Sequence, residues 1–248
     1  MKKIKTNQIF TILATVVTVV VNALANILPL NGLNTGEISD RFEIYFVPAG
    51  YVFSIWGLIY LGLIVYSVFQ ALPGQSGNPT LKKIAPLYWI GSLANSVWIF
   101  LWHYEVFSLT IIAMLTILIT LIMISRELVK TEGLSKWLVK LPFSIYLGWI
   151  SVATIANVSQ NLFLYKWTGW GLEPQVWAVI LLAVASLLGI LKSLMENDTP
   201  YSFVLIWAFI GITVSQAGSS LVLTAAWAGV IILILAIITS IFRDKRIY

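Results

Sequence analysis

Apolar runs long enough to cross a bilayer alternate with short polar connections along nearly the whole chain. Read with a window of about 19 residues, the pattern predicts eight hydrophobic segments, at roughly 8–30, 49–72, 84–104, 107–126, 140–165, 175–195, 200–217 and 219–242. Each is close to the ~20 residues a helix needs to span the hydrocarbon. Tight turns join the third segment to the fourth and the seventh to the eighth. The expected fold class is therefore all-α: a polytopic transmembrane helical bundle of eight spans.

Composition agrees and narrows the chemistry. The 248 residues are 59% hydrophobic and 10% charged, with a mean hydropathy of +0.93, against roughly 45–50% apolar and about 25% charged in soluble domains. With no cysteine and one histidine, disulfides, iron–sulfur clusters, thiolate zinc sites and multi-histidine metal sites are excluded. All ten acidic residues fall in connections or at segment ends. The segment interiors then hold only Ser, Thr, Asn, Gln, Tyr and Trp as polar groups, which argues against an ion-coupled pump, a carboxylate proton relay or a hydrolytic acid–base pair within the membrane. No catalytic residue is expected. A Ser/His/Asp triad would have to use His103, no nucleophile elbow precedes it, and beside Trp102 and Tyr104 it reads as an interfacial residue.

The net charge of +5 does not point to nucleic acid, because the basic residues are spread over short connections. Thirteen of the fifteen lie on one side of the predicted topology: Lys2, Lys3 and Lys5, Lys82 and Lys83, Arg126, Lys130, Lys136 and Lys140, Lys192, and Arg243, Lys245 and Arg246. Only Arg41 and Lys166 lie on the other. The positive-inside rule puts both termini in the cytoplasm. The N-terminal lysines, the run from Ile9 to Val21 and Ala23-Leu24-Ala25 imitate a cleavable signal peptide, yet the apolar run continues to Pro29, as an uncleaved anchor would. The connection from Asn31 to Val47, with Glu37, Asp40, Arg41 and Glu43, reads either as a solvated linker or as a lid over an outward-facing cavity. Residues 73–81 read as a plain turn segment.

Aromatic residues divide into two groups. Trp102, Tyr104, Trp137, Trp167, Trp170 and Tyr201 are expected in the interfacial belts. Others repeat at helical spacing within segments: Phe53, Trp56, Tyr60 and Ser67 in the second; Tyr88, Gly91, Asn95, Trp98 and Trp102 in the third; Tyr146, Trp149, Ala153, Asn157 and Gln160 in the fifth. At about 100° per residue each set occupies one sector of its helix. Amide and indole N–H groups facing lipid would go unsatisfied, so the stripes should turn toward one another. Two outcomes are open: helix–helix ties through Asn95 and Asn157, or an aromatic-walled pocket for a flat apolar ligand.

At these residues the sequence resembles the translocator protein family, also called tryptophan-rich sensory proteins or peripheral-type benzodiazepine receptors. The segment from Tyr146 through Gly148, Trp149 and Ala153 to Asn157 is similar to the family's fifth-helix pattern. Leu93-Ala94-Asn95-Ser96-Val97-Trp98 resembles its third-helix pattern, and Pro48 through Phe53 and Trp56 to Tyr60 its second. The match covers about residues 1–167, a five-helix core, and leaves 168–248 as an additional three-helix transmembrane unit, as in a longer bacterial branch. There are departures. One residue is missing between Phe53 and Trp56, Ala49 stands where the family has a second proline, Tyr51 stands for a tryptophan, and the fourth segment lacks an acidic residue.

The resemblance implies a membrane-embedded binding or sensory protein for a flat hydrophobic ligand, tetrapyrrole or sterol-like, in a cavity covered by the first long connection. Carried over residue by residue, the ligand-binding set is Phe53, Trp56, Tyr60, Asn95, Trp98, Tyr146, Trp149, Ala153 and Asn157. No metal and no obligate cofactor is implied, although a tetrapyrrole would be a ligand and light-dependent porphyrin degradation is an activity of some members. A reversed sterol-type pattern, Lys83, Tyr88 and Leu93, is also present. The alternative function is a facilitative transporter of small amphipathic molecules. Expected partners are the lipid bilayer, a small hydrophobic ligand and, through scattered Ala and Gly, a second copy as a homodimer; the expected location is the bacterial cytoplasmic membrane.

Overall fold

A computed structural model describes residues 4–28 and 30–244. Lys2, Lys3, Lys245 and Arg246, which entered the orientation count, and Pro29, which entered the signal-peptide reading, lie outside the described residues. Nine α-helices are present among the described residues: α1 (Thr6–Ile27), α2 (Thr35–Asp40), α3 (Ile55–Ala71), α4 (Pro79–His103), α5 (Phe107–Leu128), α6 (Leu141–Leu164), α7 (Pro174–Glu196), α8 (Thr199–Ser215) and α9 (Ser220–Asp244). Seven spans are long and apolar enough to cross a membrane, and α8, at 17 residues, is a shorter apolar helix. The protein is an all-α membrane bundle.

Eight of the nine helices, all but α2, coincide with the eight predicted segments, with adjustments at their ends. Helix α4 begins at Pro79 rather than near residue 84, because Asn78 caps it: its Oδ1 accepts from the backbone N–H groups of Thr80 at 3.1 Å and Leu81 at 3.3 Å. That satisfies donors a helix start otherwise leaves bare. Helix α6 is preceded without a break by a π-helical turn, Lys136–Lys140.

The chain forms two compact units, Met1–Ile38 with Ile55–Ile150, and Ser39–Ser54 with Ser151–Tyr248. This division by packing runs through the continuous helix α6, whereas the partition drawn from the resemblance falls after Trp167.

In the first unit, α1 has a burial pattern opposite to that of a helix in water. Its buried face is Gln8, Thr11, Thr15, Thr18, Asn22 and Ala25, while Ile9, Phe10, Leu13, Val16, Val17, Val20 and Leu24 are exposed. Lipid solvates apolar side chains as well as a core does, so polar groups go inside, where they can pair. They do pair. Gln8 donates to the Gln70 carbonyl at 2.6 Å and Gln70 returns a bond to the Gln8 carbonyl at 3.1 Å, tying α1 to α3. The Trp89 indole donates to Thr11 Oγ1 at 2.9 Å, and the hydroxyls of Thr15 and Tyr88 bond at 2.7 Å, tying α1 to α4.

In the second unit, small residues let α7, α8 and α9 approach closely. A Cβ on Gly229 of α9 would come within 2.7 Å of the Phe209 ring of α8. Ser193 of α7 and Ser202 of α8 bond at 2.8 Å, and Ser240 of α9 donates to the Ser193 carbonyl at 2.7 Å.

Candidate functional site

The expected binding residues fall in both units. In the first, Trp56 is the hub of an aromatic cluster. It stacks on Tyr60, one turn along α3, with centroids 5.4 Å apart and planes 17° apart. It meets Tyr146 and Trp149 of α6 edge-on at 6.0 and 6.2 Å, in the tilted geometries that ring quadrupoles favour. Asn95 joins through Tyr146: its Nδ2 donates to the Tyr146 hydroxyl at 2.9 Å, and its Oδ1 accepts from Asn22 Nδ2 at 2.6 Å. Asn95 has no exposed surface, so both ends of its amide are used in tying α1, α4 and α6 together. Trp98 stands apart, stacked on Trp102 with centroids 5.1 Å apart. Its indole N–H is buried and has no acceptor within the protein. Gly91, in the same stripe as Asn95 and Trp98, faces Thr120 of α5.

The remaining three expected residues belong to the second unit. Phe53 is half-buried on the 3-10 turn Gly50–Ser54 that precedes α3, not within the helix. Ala153 is half-buried and Asn157 is buried, both on α6.

The second unit holds a cavity of about 410 Å³. One wall is the segment Glu43, Ile44, Tyr45 and Phe46. Another is α6, through Thr154, Ile155, Val158, Ser159, Leu162 and Phe163. The α6–α7 connection and α7 complete it, with Trp167, Thr168, Leu172, Trp177 and Leu181 among the contributors. At about 100° per residue, this face of α6 lies roughly opposite the face carrying Trp149, Ala153 and Asn157, and neither Ala153 nor Asn157 contributes to this wall. Volume and lining match a small-molecule site, which is commonly ~300–1,000 Å³ and mostly apolar.

Helices α7 and α8 hold the loop that forms the first wall. Trp207 donates its indole N–H to the Val52 carbonyl at 3.1 Å. Ser215 Oγ donates to the Val47 carbonyl at 2.6 Å, and Gln216 Nε2 to the Ile44 carbonyl at 3.3 Å. The Ala49 N–H donates to the Gly211 carbonyl at 3.1 Å, and Gln175 Nε2 to the Tyr45 hydroxyl at 3.2 Å. Gly211 permits this approach, since a Cβ there would overlap the Val52 side chain and lie 2.9 Å from Pro48 Cβ. Three separate indoles also gather beside the cavity. Trp167, Trp170 and Trp177 have centroids 5.1 to 5.7 Å apart, and Trp177 donates to the Gly169 carbonyl at 2.8 Å.

The expected aromatic belt needs correction. Tyr104, Trp137 and Trp170 are exposed, but Trp102 and Tyr201 are buried. Trp102 donates to the Thr35 carbonyl at 3.2 Å, and the Tyr201 hydroxyl to Ser151 Oγ at 2.9 Å. His103, the last residue of α4, is fully buried. Its Nδ1 lies 3.0 Å from the Leu30 carbonyl, which can only accept, so Nδ1 carries a proton. Its Nε2 lies 3.1 Å from Thr35 Oγ1. Both ring nitrogens therefore fasten the 30–35 segment to the end of α4. No cluster of three or more His, Cys, Asp or Glu residues suited to a metal occurs among the described residues.

What sequence reasoning missed is the cavity lined by Tyr45, Phe163, Trp167 and Trp177. The signal available was the crowding of Trp167, Trp170 and Trp177 within eleven residues, more than an interfacial anchor needs.

A family model described as TSPO-like protein matches residues 8–239, nearly the whole chain and both units. No curated protein and no solved structure matches the chain.

Proposed function

The chain belongs to the TSPO-like protein family, and from that membership we propose that it binds a flat hydrophobic ligand in the apolar cavity walled by Glu43–Phe46, α6 and α7. The family points to a membrane ligand-binding, sensory or transport role; the flat ligand, tetrapyrrole or sterol-like, is the finer reading. The observation that carries it is the cavity itself. Its volume suits a polycyclic molecule, and its walls offer Tyr45, Phe46, Phe163, Trp167 and Trp177 as stacking surface. Helices α7 and α8 then have a role in binding, because they hold the loop that closes one side. We place the protein in a bacterial cytoplasmic membrane with both termini inside, on the distribution of its basic residues.

The test is tryptophan fluorescence of the full chain in lipid nanodiscs, titrated with a porphyrin and with an uncharged flat polycycle. Saturable quenching by either, weakened several-fold by Trp177→Ala, supports the reading; no saturable quenching by either overturns it.

A specific observation favours a second location. Trp98, only 5% exposed, keeps an indole N–H without an acceptor, and a buried donor left bare costs about 1–3 kcal/mol. A ligand oxygen reaching that N–H would remove the cost. Affinity unchanged in both Trp98→Ala and Trp149→Ala would eliminate this location.

A further inference from the structure

The cavity in the second unit is asymmetric in charge. Glu43 is the one acidic residue in its wall, and no lysine, arginine or histidine lines it. Glu43 is exposed on its loop. An anionic ligand would find no cationic partner there and would meet a carboxylate. The polar groups in the wall other than Glu43 are neutral: the hydroxyls of Tyr45, Thr154, Ser159 and Thr168 can donate or accept, and the Trp177 N–H is already committed to the Gly169 carbonyl. What the wall offers is ring surface, and the negative faces of indole and phenol rings attract cations. Trp167 and Trp177 are tilted 54° to each other with centroids 5.1 Å apart, so they present two ring planes at a corner rather than one flat wall.

Other charge sources do not reverse this. Lys166 and Glu173 sit on the α6–α7 connection, and Asp40 and Arg41 lie just ahead of Glu43 in the chain, one of each sign in both places, and none of the four lines the wall. The C-terminal end of α6 and the N-terminal end of α7 both adjoin the cavity, and their dipole ends are of opposite sign. The net preference is therefore left to Glu43 and the rings.

We propose that this cavity selects a flat amphipathic organic cation, its apolar body against the rings and its positive end toward Glu43, in preference to a carboxylated ligand of the same shape. The inference rests on the ligand-binding reading above and narrows its substrate class.

Three tricyclic probes of one shape test it: N-methylacridinium, acridine held uncharged at mildly alkaline pH, and acridine-9-carboxylate. Each is titrated into the full chain in nanodiscs of uncharged lipid, with protein-free nanodiscs subtracting partition into the bilayer. The cation should bind at least about tenfold more tightly than the anion, with acridine between them. Glu43→Gln should bring cation and anion within about twofold while leaving acridine unchanged, and Glu173→Gln should leave the order as it was. Equal binding of cation and anion, or a preference that survives Glu43→Gln, overturns the inference and leaves the ligand-binding reading standing. Saturable binding by none of the three also overturns the inference, and the porphyrin titration then decides the ligand-binding reading by itself.

Discussion

Asn22 of α1 donates its side-chain N–H to the Oδ1 of Asn95 of α4 across 2.6 Å. The same Asn95 amide donates to the hydroxyl of Tyr146 on α6 at 2.9 Å, so one side chain with no exposed surface ties three helices. Asn95→Ala removes the buried bonds to Asn22, which keeps its bond to the Thr18 carbonyl, and to the Tyr146 hydroxyl, and should destabilise the protein by about 1–3 kcal/mol. A double-mutant cycle with Asn22→Ala, followed by thermal unfolding in detergent, should give a coupling of about 0.6–2 kcal/mol. A coupling near zero would show that the pair contributes nothing beyond its separate contacts.

Gly211 should be among the least replaceable positions of α8. A methyl group there overlaps Val52 and crowds Pro48, and overpacking typically costs about 1–3 kcal/mol. The strain should release by moving the loop off the helix. Limited proteolysis should then cut within residues 39–54 faster in Gly211→Ala than in the parent chain. Gly218→Ala, whose added Cβ meets nothing within 4 Å, is the control and should cut at the parent rate.

Trp56 touches three of the rings expected to act with it. Trp56→Ala removes its stack on Tyr60 and its edge contacts with Tyr146 and Trp149. Core truncations of this kind cost about 3–5 kcal/mol, and half-burial of Trp56 places the expected loss at the lower end. Trp56→Phe keeps a ring against Tyr60 and should recover most of the melting temperature. If both variants melt together with the parent chain, the cluster is not a packing centre.

His103 has both ring nitrogens engaged, with Leu30 and Thr35, and is fully buried. It is therefore not positioned to coordinate the iron of a bound tetrapyrrole. A ferric porphyrin added to His103→Gln should show the same absorption spectrum as with the parent chain, while the variant melts lower through loss of the tie to residues 30–35. A shifted porphyrin band in the variant alone would assign coordination to this histidine.

The pattern along the chain was enough to establish the membrane class, the eight helices and the periodic stripes, because those depend on local quantities: apolar length, the helical repeat, and the exclusion of charge from lipid. It also put Tyr146 and Trp149 on one face of α6, and Trp56 and Tyr60 on one face of α3, since residues one helical turn apart share a face. Periodicity does not say what a face meets. Tyr201 and Trp102 looked like interfacial anchors until packing buried them, and the side of α6 opposite its aromatic and amide stripe carried no signal of its own until it walled a cavity.

That cavity exists because the 44–52 segment is held by Trp207, Gly211, Ser215 and Gln216, partners more than 150 residues away along the chain. Backbone carbonyls carry no identity in a sequence, so which of them a distant indole, hydroxyl or amide will satisfy is decided only when the helices close on one another.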